Sequence, residues 1–207
     1  MRVKICGITT REDARAALDA GADAIGIVLH PGSPRRVSFQ RAREISDYVG
    51  GAADRFGVLV DASPTELAEL AAGCHLTALQ VHLRSCPREL ITQLPVPILP
   101  FVPGDRLALS RSGEWWPDLP LLVDSLASDG TGGTGAPADL AVAAALASHR
   151  PVWIAGGLSP DNVAEAVKAV RPHGVDASTS LESSPGRKDR QLMARFVAEA
   201  RKAGEGA

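Results

Sequence analysis

The sequence predicts an α/β protein folded as a single (β/α)8 barrel (a TIM barrel) spanning residues 1–207. Three observations carry this expectation. Eight short β-branched or apolar runs alternate with alanine-rich segments of helical period. No compositional break divides the 207 residues, a length that suits one such barrel. The first strand-to-helix turn, Cys6-Gly7-Ile8-Thr9, lacks the GxGxxG fingerprint that an open doubly wound sheet carries there. Repeated β-α units impose right-handed crossovers and a parallel sheet.

Taken in order, strands are expected at Arg2–Cys6, Asp23–Leu29, Arg55–Val60, Thr77–Leu83, Val96–Val102, Leu119–Asp124, Val152–Ala155 and Gly174–Ser178. The first helix should begin at a capping box, with Thr9 as cap and Glu12 reaching back. Ala14, Ala17 and Leu18 form its buried face, and Gly21 can end it. Ser38 precedes a stripe of Ala42, Ile45 and Val49. Ser63-Pro64-Thr65-Glu66 supplies a cap, a proline at the first helical position and a box glutamate, with Leu67, Leu70 and Ala71 buried behind it. Ser159-Pro160 starts a helix with Val163, Val167 and Val170 on one face, and Leu192, Phe196 and Ala200 mark the last helix. Pro103 to Pro117 holds Gly104, Gly113 and Trp115-Trp116, so the fifth helix is expected to be short or irregular, with the tryptophans packed under a loop. Ser125 to Pro137 carries four glycines, and loops of that length are often functional.

Apolar residues make up 45% and charged residues 22%, which supports a large core. Net charge is −2, with no basic stripe for nucleic acid or an anionic membrane. No apolar run reaches 18 residues, and Arg2 and Lys4 precede too short a run for a signal peptide, so a cytoplasmic protein is expected. Three irregularly spaced cysteines fit free thiols in a reducing compartment. Cys74, His75, His82 and Cys86 lie close in sequence but lack zinc-ligand spacing, and no metal or other cofactor is expected.

In a barrel of this kind the active site lies at the C-terminal ends of the strands. Those ends carry Cys6-Gly7, Ser33-Pro34-Arg35-Arg36, Gln80-Val81-His82, Asp124-Ser125, Gly156-Gly157 and Asp176-Ala177-Ser178-Thr179-Ser180. Glycines after strand seven, and hydroxyls after strand eight, suit a phosphate, which such barrels often bind there. Gly132-Gly133-Thr134-Gly135 can add donors. A thiol and a carboxylate facing one mouth fit proton transfer, with Cys6 as a base and Asp124 as an acid kept protonated by burial. A structural cysteine, and an aspartate bound by backbone N–H groups, are the bland alternatives. Alternation places Lys4 inward with Cys6, one layer deeper, and the helix N-terminus after Gly7 can favour the thiolate.

Lys4-Ile5-Cys6-Gly7-Ile8-Thr9, Gly21-Ala22-Asp23-Ala24-Ile25-Gly26, Ser33-Pro34-Arg35-Arg36-Val37, Gln80-Val81-His82 and Leu122-Val123-Asp124-Ser125 closely resemble the phosphoribosylanthranilate isomerase family of tryptophan biosynthesis. The resemblance continues through Gly132-Gly133-Thr134-Gly135, Ala155 to Val163, Gly174-Val175-Asp176 and Ser184-Pro185-Gly186-Arg187-Lys188-Asp189. It implies a cofactor-free Amadori rearrangement of a small phosphosugar substrate, by a monomer or a homodimer. It implies Asp124 as general acid, Cys6 as general base, Arg36 on the substrate carboxylate, and His82, Gly133, Gly156, Gly157, Asp176, Ser178 and Thr179 as further substrate contacts.

The chain departs from the family pattern at Leu83 and Ser180, each in place of a glycine, and at Ala138-Asp139-Leu140 in place of Phe-Asp-Trp. Ser180 cannot adopt a positive φ cheaply, so an altered phosphate loop is expected. The related isomerase of histidine biosynthesis, a divergent copy serving a specialised pathway and a non-catalytic phosphosugar-binding barrel are the competing readings. Cys6 in place of an aspartate argues against the first of these.

Overall fold

The computed structural model describes residues 1–82, 94–103, 119–124 and 140–206. Strands β1 (Arg2–Cys6), β2 (Ala24–Val28), β3 (Asp54–Val60), β4 (Ala78–His82), β5 (Ile98–Pro103), β6 (Leu121–Asp124), β7 (Val152–Ile154) and β8 (Gly174–Ala177) form a closed parallel barrel in chain order. Lys4 pairs with Asp176 where β1 meets β8, and Cys6 pairs with Gly26 of β2. The stretch 104–117, where a short or irregular fifth helix is expected, and the glycine-rich stretch 125–137, Gly133 included, lie outside the described residues, as do Leu83, Cys86 and Trp115-Trp116.

Period-two alternation sorts the side chains into two cores. Val3, Ile5, Ile25, Ile27 and Leu79 point outward and join the helices in one large cluster. Ala24, Phe56, Ala78, Leu99, Leu122 and Trp153 point inward and plug the N-terminal half of the barrel. Large and small residues alternate in that plug, as close packing of a narrow interior requires. Gly174 belongs to the same fit, since a Cβ there would lie 2.5 Å from the Trp153 ring. Above the plug the interior turns polar, with Lys4, Gln80 and Asp176, and then opens.

Most helix starts follow the sequence. Ser38 caps Phe39–Val49, and Ser63 and Glu66 form the reciprocal box that opens Pro64–Gly73. Two starts differ. Thr10, not Thr9, caps Arg11–Asp19 by accepting from the Asp13 N–H. Thr9 instead donates to the Gly186 carbonyl at 2.6 Å, tying the first turn to a hairpin near the C-terminus. The helix Val163–Val170 begins after Asn162 rather than at Ser159-Pro160. Asn162 folds back on the preceding turn, accepting from the Ser159 N–H and donating to the Gly157 carbonyl. That turn therefore belongs to the cavity wall. Helices Leu140–Ala147 and Arg190–Glu205 complete the described outer layer, and Arg190–Glu205 buries Met193, Phe196, Val197, Ala200 and Ala203. Among the described residues no helix is long and apolar enough to cross a membrane.

Candidate active site

A cavity of about 680 Å³ opens at the C-terminal ends of the strands. Cys6, Asp124, His82, Gly156, Gly157, Asp176, Ser178 and Thr179 all line it. The fold thus brings together eight of the ten residues the sequence marks, from β1, β4, β6, β7 and β8. Gly133 lies outside the described residues. Arg36 does not line the cavity, whereas Arg35 does. Arg36 is exposed, with its backbone bridged to Val28. The correction comes from a turn: Pro34-Arg35 form a bend closed by the Arg36 N–H to the Ser33 carbonyl, which leaves Arg35 on the cavity while Arg36 pairs with Val28.

Cys6 is 8% exposed and packs with Val28 and Val58. Two glycines shape its seat. A Cβ at Gly26 would stand 2.6 Å from the Cys6 sulfur, so the thiol occupies the space that Gly26 leaves. Gly7 has a φ of +76°, and a Cβ there would strike Arg35 Cδ at 2.6 Å and Ser178 Oγ at 2.8 Å. Burial pushes the thiol above its ordinary range, and the ammonium groups of Lys4 and Lys188 oppose that without reversing it. Burial thus outweighs the charge of these two ammonium groups at the thiol.

Beneath the thiol lies a polar floor. Lys4 is fully buried, and its Nζ donates to Asp176 Oδ2 at 2.7 Å and to Gln80 Oε1 at 2.8 Å. The ammonium also stands 5.7 Å from the Phe56 ring centroid, on top of the apolar plug. Burial pulls Lys4 down, but Asp176 and Cys6 prevail and hold it protonated above the usual lysine value. Asp176 Oδ1 is buried and has no hydrogen-bond partner among the described residues. A buried carboxylate oxygen left in that state on a cavity wall is suited to a ligand hydroxyl.

The exits of β7 and β8 form one side of the mouth. Gly156 and Gly157 both take left-handed φ values, +81° and +64°. Ser180 is not strained. It sits in the 3₁₀ turn Thr179–Leu181, outside the positive-φ residues, and its hydroxyl donates to the Leu158 carbonyl. Ser180 thus adds a tie between the β7 and β8 exits.

Sequence reasoning missed the strap above these exits. Strands β9 (Glu182–Ser184) and β10 (Arg187–Lys188) form an antiparallel hairpin around Pro185-Gly186. Glu182 accepts from Arg35 Nε at 2.7 Å, Arg35 Nη2 at 2.8 Å and Lys188 Nζ at 2.8 Å. Lys188 also donates to the Ser178 carbonyl at 3.0 Å. Burial pushes the Glu182 carboxyl up, but Arg35 and Lys188 together hold it below the usual carboxylate range. The Pro-Gly pair was the readable signal for a turn. The burial of Lys188 beside the exposed Arg187 has no such signal.

Across the mouth, His82 stacks on Phe101 with ring centroids 4.1 Å apart and planes 9° apart. Burial, with help from His30 and Lys4, lowers its pKa to about 4, so the imidazole is neutral near pH 7. Cys74, His75 and His82 go separate ways: Cys74 is buried against the Phe39 carbonyl, His75 pairs with Asp47 at the surface, and His82 lines the cavity.

Comparison with known proteins agrees with this geometry. Residues 3–199 match the family model described as N-(5'-phosphoribosyl)anthranilate (PRA) isomerase. The N-(5'-phosphoribosyl)anthranilate isomerase of Rubrobacter xylanophilus is 38% identical over 203 residues, covering 97% of this chain and 98% of its own. The phosphoribosyl anthranilate isomerase structure from Thermotoga maritima superposes with a TM-score of 0.88 at 32% identity, covering 98% of this chain and 99% of that one. A structure of phosphoribosyl anthranilate isomerase in complex with reduced 1-(o-carboxyphenylamino)-1-deoxyribulose 5-phosphate matches at a TM-score of 0.86 and 32% identity, with the same coverage.

Proposed function

From the premise that the chain belongs to the N-(5'-phosphoribosyl)anthranilate isomerase family, we propose how its own residues carry out the isomerisation. The enzyme acts in tryptophan biosynthesis. It converts N-(5'-phosphoribosyl)anthranilate to 1-(2-carboxyphenylamino)-1-deoxyribulose 5-phosphate. The observation that carries the assignment of roles is that Cys6 and Asp124 line one cavity whose rim holds Gly156, Gly157, Ser178 and Thr179.

Asp124 donates a proton to the furanose ring oxygen. The C1–O bond breaks, the anilino nitrogen supplies its electron pair, and a protonated Schiff base forms. Cys6, as thiolate, removes the proton from C2. The electron pair of that C–H bond becomes the C1–C2 double bond of an enolamine, which tautomerises to the ketone. One proton enters and one leaves, and the oxidation of C2 is matched by the reduction of C1 in the same molecule.

Binding follows from the walls. The backbone at Gly156-Gly157 and the Ser178-Thr179 segment would take the phosphate. Asp176 Oδ1 would accept from a sugar hydroxyl. Arg35, rather than Arg36, would meet the anthranilate carboxylate, because a guanidinium holds five N–H donors and its bonds to Glu182 and Thr179 use only Nε and Nη2. The His82–Phe101 stack would flank the aromatic ring.

The test is turnover of purified wild type, Cys6→Ser and Asp124→Asn on the phosphoribosylated anthranilate. Each variant should lose most of kcat and keep its fold. Wild-type turnover by both would reject the assignment of roles.

A further inference from the structure

The floor of the cavity holds a charge that the proposed reaction steps do not use. Lys4 is among the largest fully buried side chains, and an ammonium is rarely placed there without a task or a partner. Its place is set from every side. Phe56 and the apolar plug lie beneath it, Asp176 of β8 and Gln80 of β4 grip Nζ laterally, and the cavity opens above. Lys4 and Cys6 are two residues apart on one strand, so both point into the barrel in adjacent layers, roughly 6.6 Å apart along the chain. The plug closes the way down to bulk water. Toward the cavity, the ionisable group that this ammonium's field reaches next, after its own partner Asp176, is the thiol above it.

We infer that Lys4 is a positioning residue for the base: its ammonium, fixed by Asp176 and Gln80, keeps the thiolate form of Cys6 accessible. The inference rests on the reading of Cys6 as general base. Thiolates are the reactive form, and a buried thiol without a nearby cation stays protonated. Four charged groups bear on this thiol. Lys4 and Asp176 lie below it on β1 and β8, Lys188 comes from the β9–β10 hairpin, and Arg35 follows β2. Lys188 and Arg35 share the Glu182 carboxylate, which offsets much of their field at the thiol. Lys4 has its partner Asp176 at the same depth, and these two make opposite, separable contributions.

That opposition defines the experiment. The rate of alkylation by iodoacetamide is followed against pH, and mass spectrometry of the Cys6 peptide separates it from Cys74 and Cys86. Lys4→Met should move the midpoint upward by about one pH unit or more, an approximately tenfold slower reaction at a fixed pH below it. Asp176→Asn should move it downward. The double variant Lys4→Met/Asp176→Asn, which leaves no unpaired buried charge and so retains the fold even if Lys4→Met alone does not, should lie above wild type and below Lys4→Met. A merely structural lysine predicts no such signed order. An unshifted midpoint in Lys4→Met, or a double variant at or below wild type, overturns the inference. Turnover of Cys6→Ser judges the base role separately: an active Cys6→Ser enzyme removes that reading, whatever the titrations show.

Discussion

Both nitrogens on one edge of the Arg35 guanidinium meet both carboxylate oxygens of Glu182, at 2.7 and 2.8 Å, across 147 residues of chain. The pair joins the loop after β2 to the strap after β8, beside the strand exits proposed to hold the phosphate. A bidentate pair of this kind fixes the plane of the guanidinium as well as its position. The Glu182 side chain is only 3% exposed, so little solvent competes for it.

Arg35→Met should therefore raise KM by roughly tenfold to a hundredfold, the scale of one or two lost charge-assisted hydrogen bonds. Arg36→Met should leave KM within about twofold, as expected of an exposed side chain outside the site. Steady-state kinetics of the two variants side by side would decide which arginine meets the carboxylate. Equal losses in both would reject the choice of Arg35.

Cys6→Ser and Asp124→Asn should each lower kcat by about 10²- to 10⁴-fold, the range of a general base or acid. Their thermal midpoints should stay close to wild type, because both changes are nearly isosteric and leave the apolar plug untouched. A large drop in midpoint with an unchanged kcat would assign the two residues to packing instead.

Much of this was legible in the sequence, because period and end signals report local geometry. All eight strands lie where alternation and β-branched runs place them, within a residue or two at each end. The inward direction of Lys4 and Cys6 follows from period two alone. The misreadings sit where no period exists. Arg35 and Arg36 are chemically identical neighbours in a loop, and only the fold selects the one that faces inward. Thr9 and Thr10 are equivalent as caps until the Gly186 carbonyl engages Thr9. The Glu182 contacts with Arg35 and Lys188 depend on a hairpin that begins five residues after the end of β8 and has no hydrophobic pattern of its own. Ser180 looked costly only on the premise that its backbone must be left-handed.

The base sets the pH dependence of turnover. Burial lifts the Cys6 thiol above its ordinary range, and the active form is the unprotonated one. The fraction of thiolate therefore grows as pH rises, and kcat/KM should climb from pH 7 into the alkaline range, beyond the ordinary thiol pKa of about 8.5. A profile of kcat/KM against pH checks this. A plateau already reached below pH 7 would mean that another group is the base.

His82 makes stability sensitive to acid. Its pKa is about 4 in the fold and near 6.5 when unfolded, so between these values the unfolded chain holds a proton that the native one lacks. Stability should rise with pH across that window and fall as pH drops through it. By pH 5 the loss from this group should approach about 2 kcal/mol. In His82→Asn the difference between urea unfolding at pH 7 and pH 5 should shrink by a similar amount. An unchanged difference would locate the acid sensitivity elsewhere.

The Ser180 hydroxyl is the final testable contact, because it joins the two strand exits proposed to hold the phosphate. It donates to the Leu158 carbonyl, one residue past the left-handed Gly156-Gly157 pair. Ser180→Ala removes that tie and leaves the backbone preference almost unchanged. Ser180→Gly removes it and also frees φ. A neutral hydrogen bond contributes about 0.5–1.5 kcal/mol net, so Ser180→Ala should raise KM by roughly twofold to tenfold with kcat preserved. Ser180→Gly should raise KM further, because the untied loop then has more conformations to lose on binding. If both variants bind as tightly as wild type, the phosphate does not depend on the distance between these two loops.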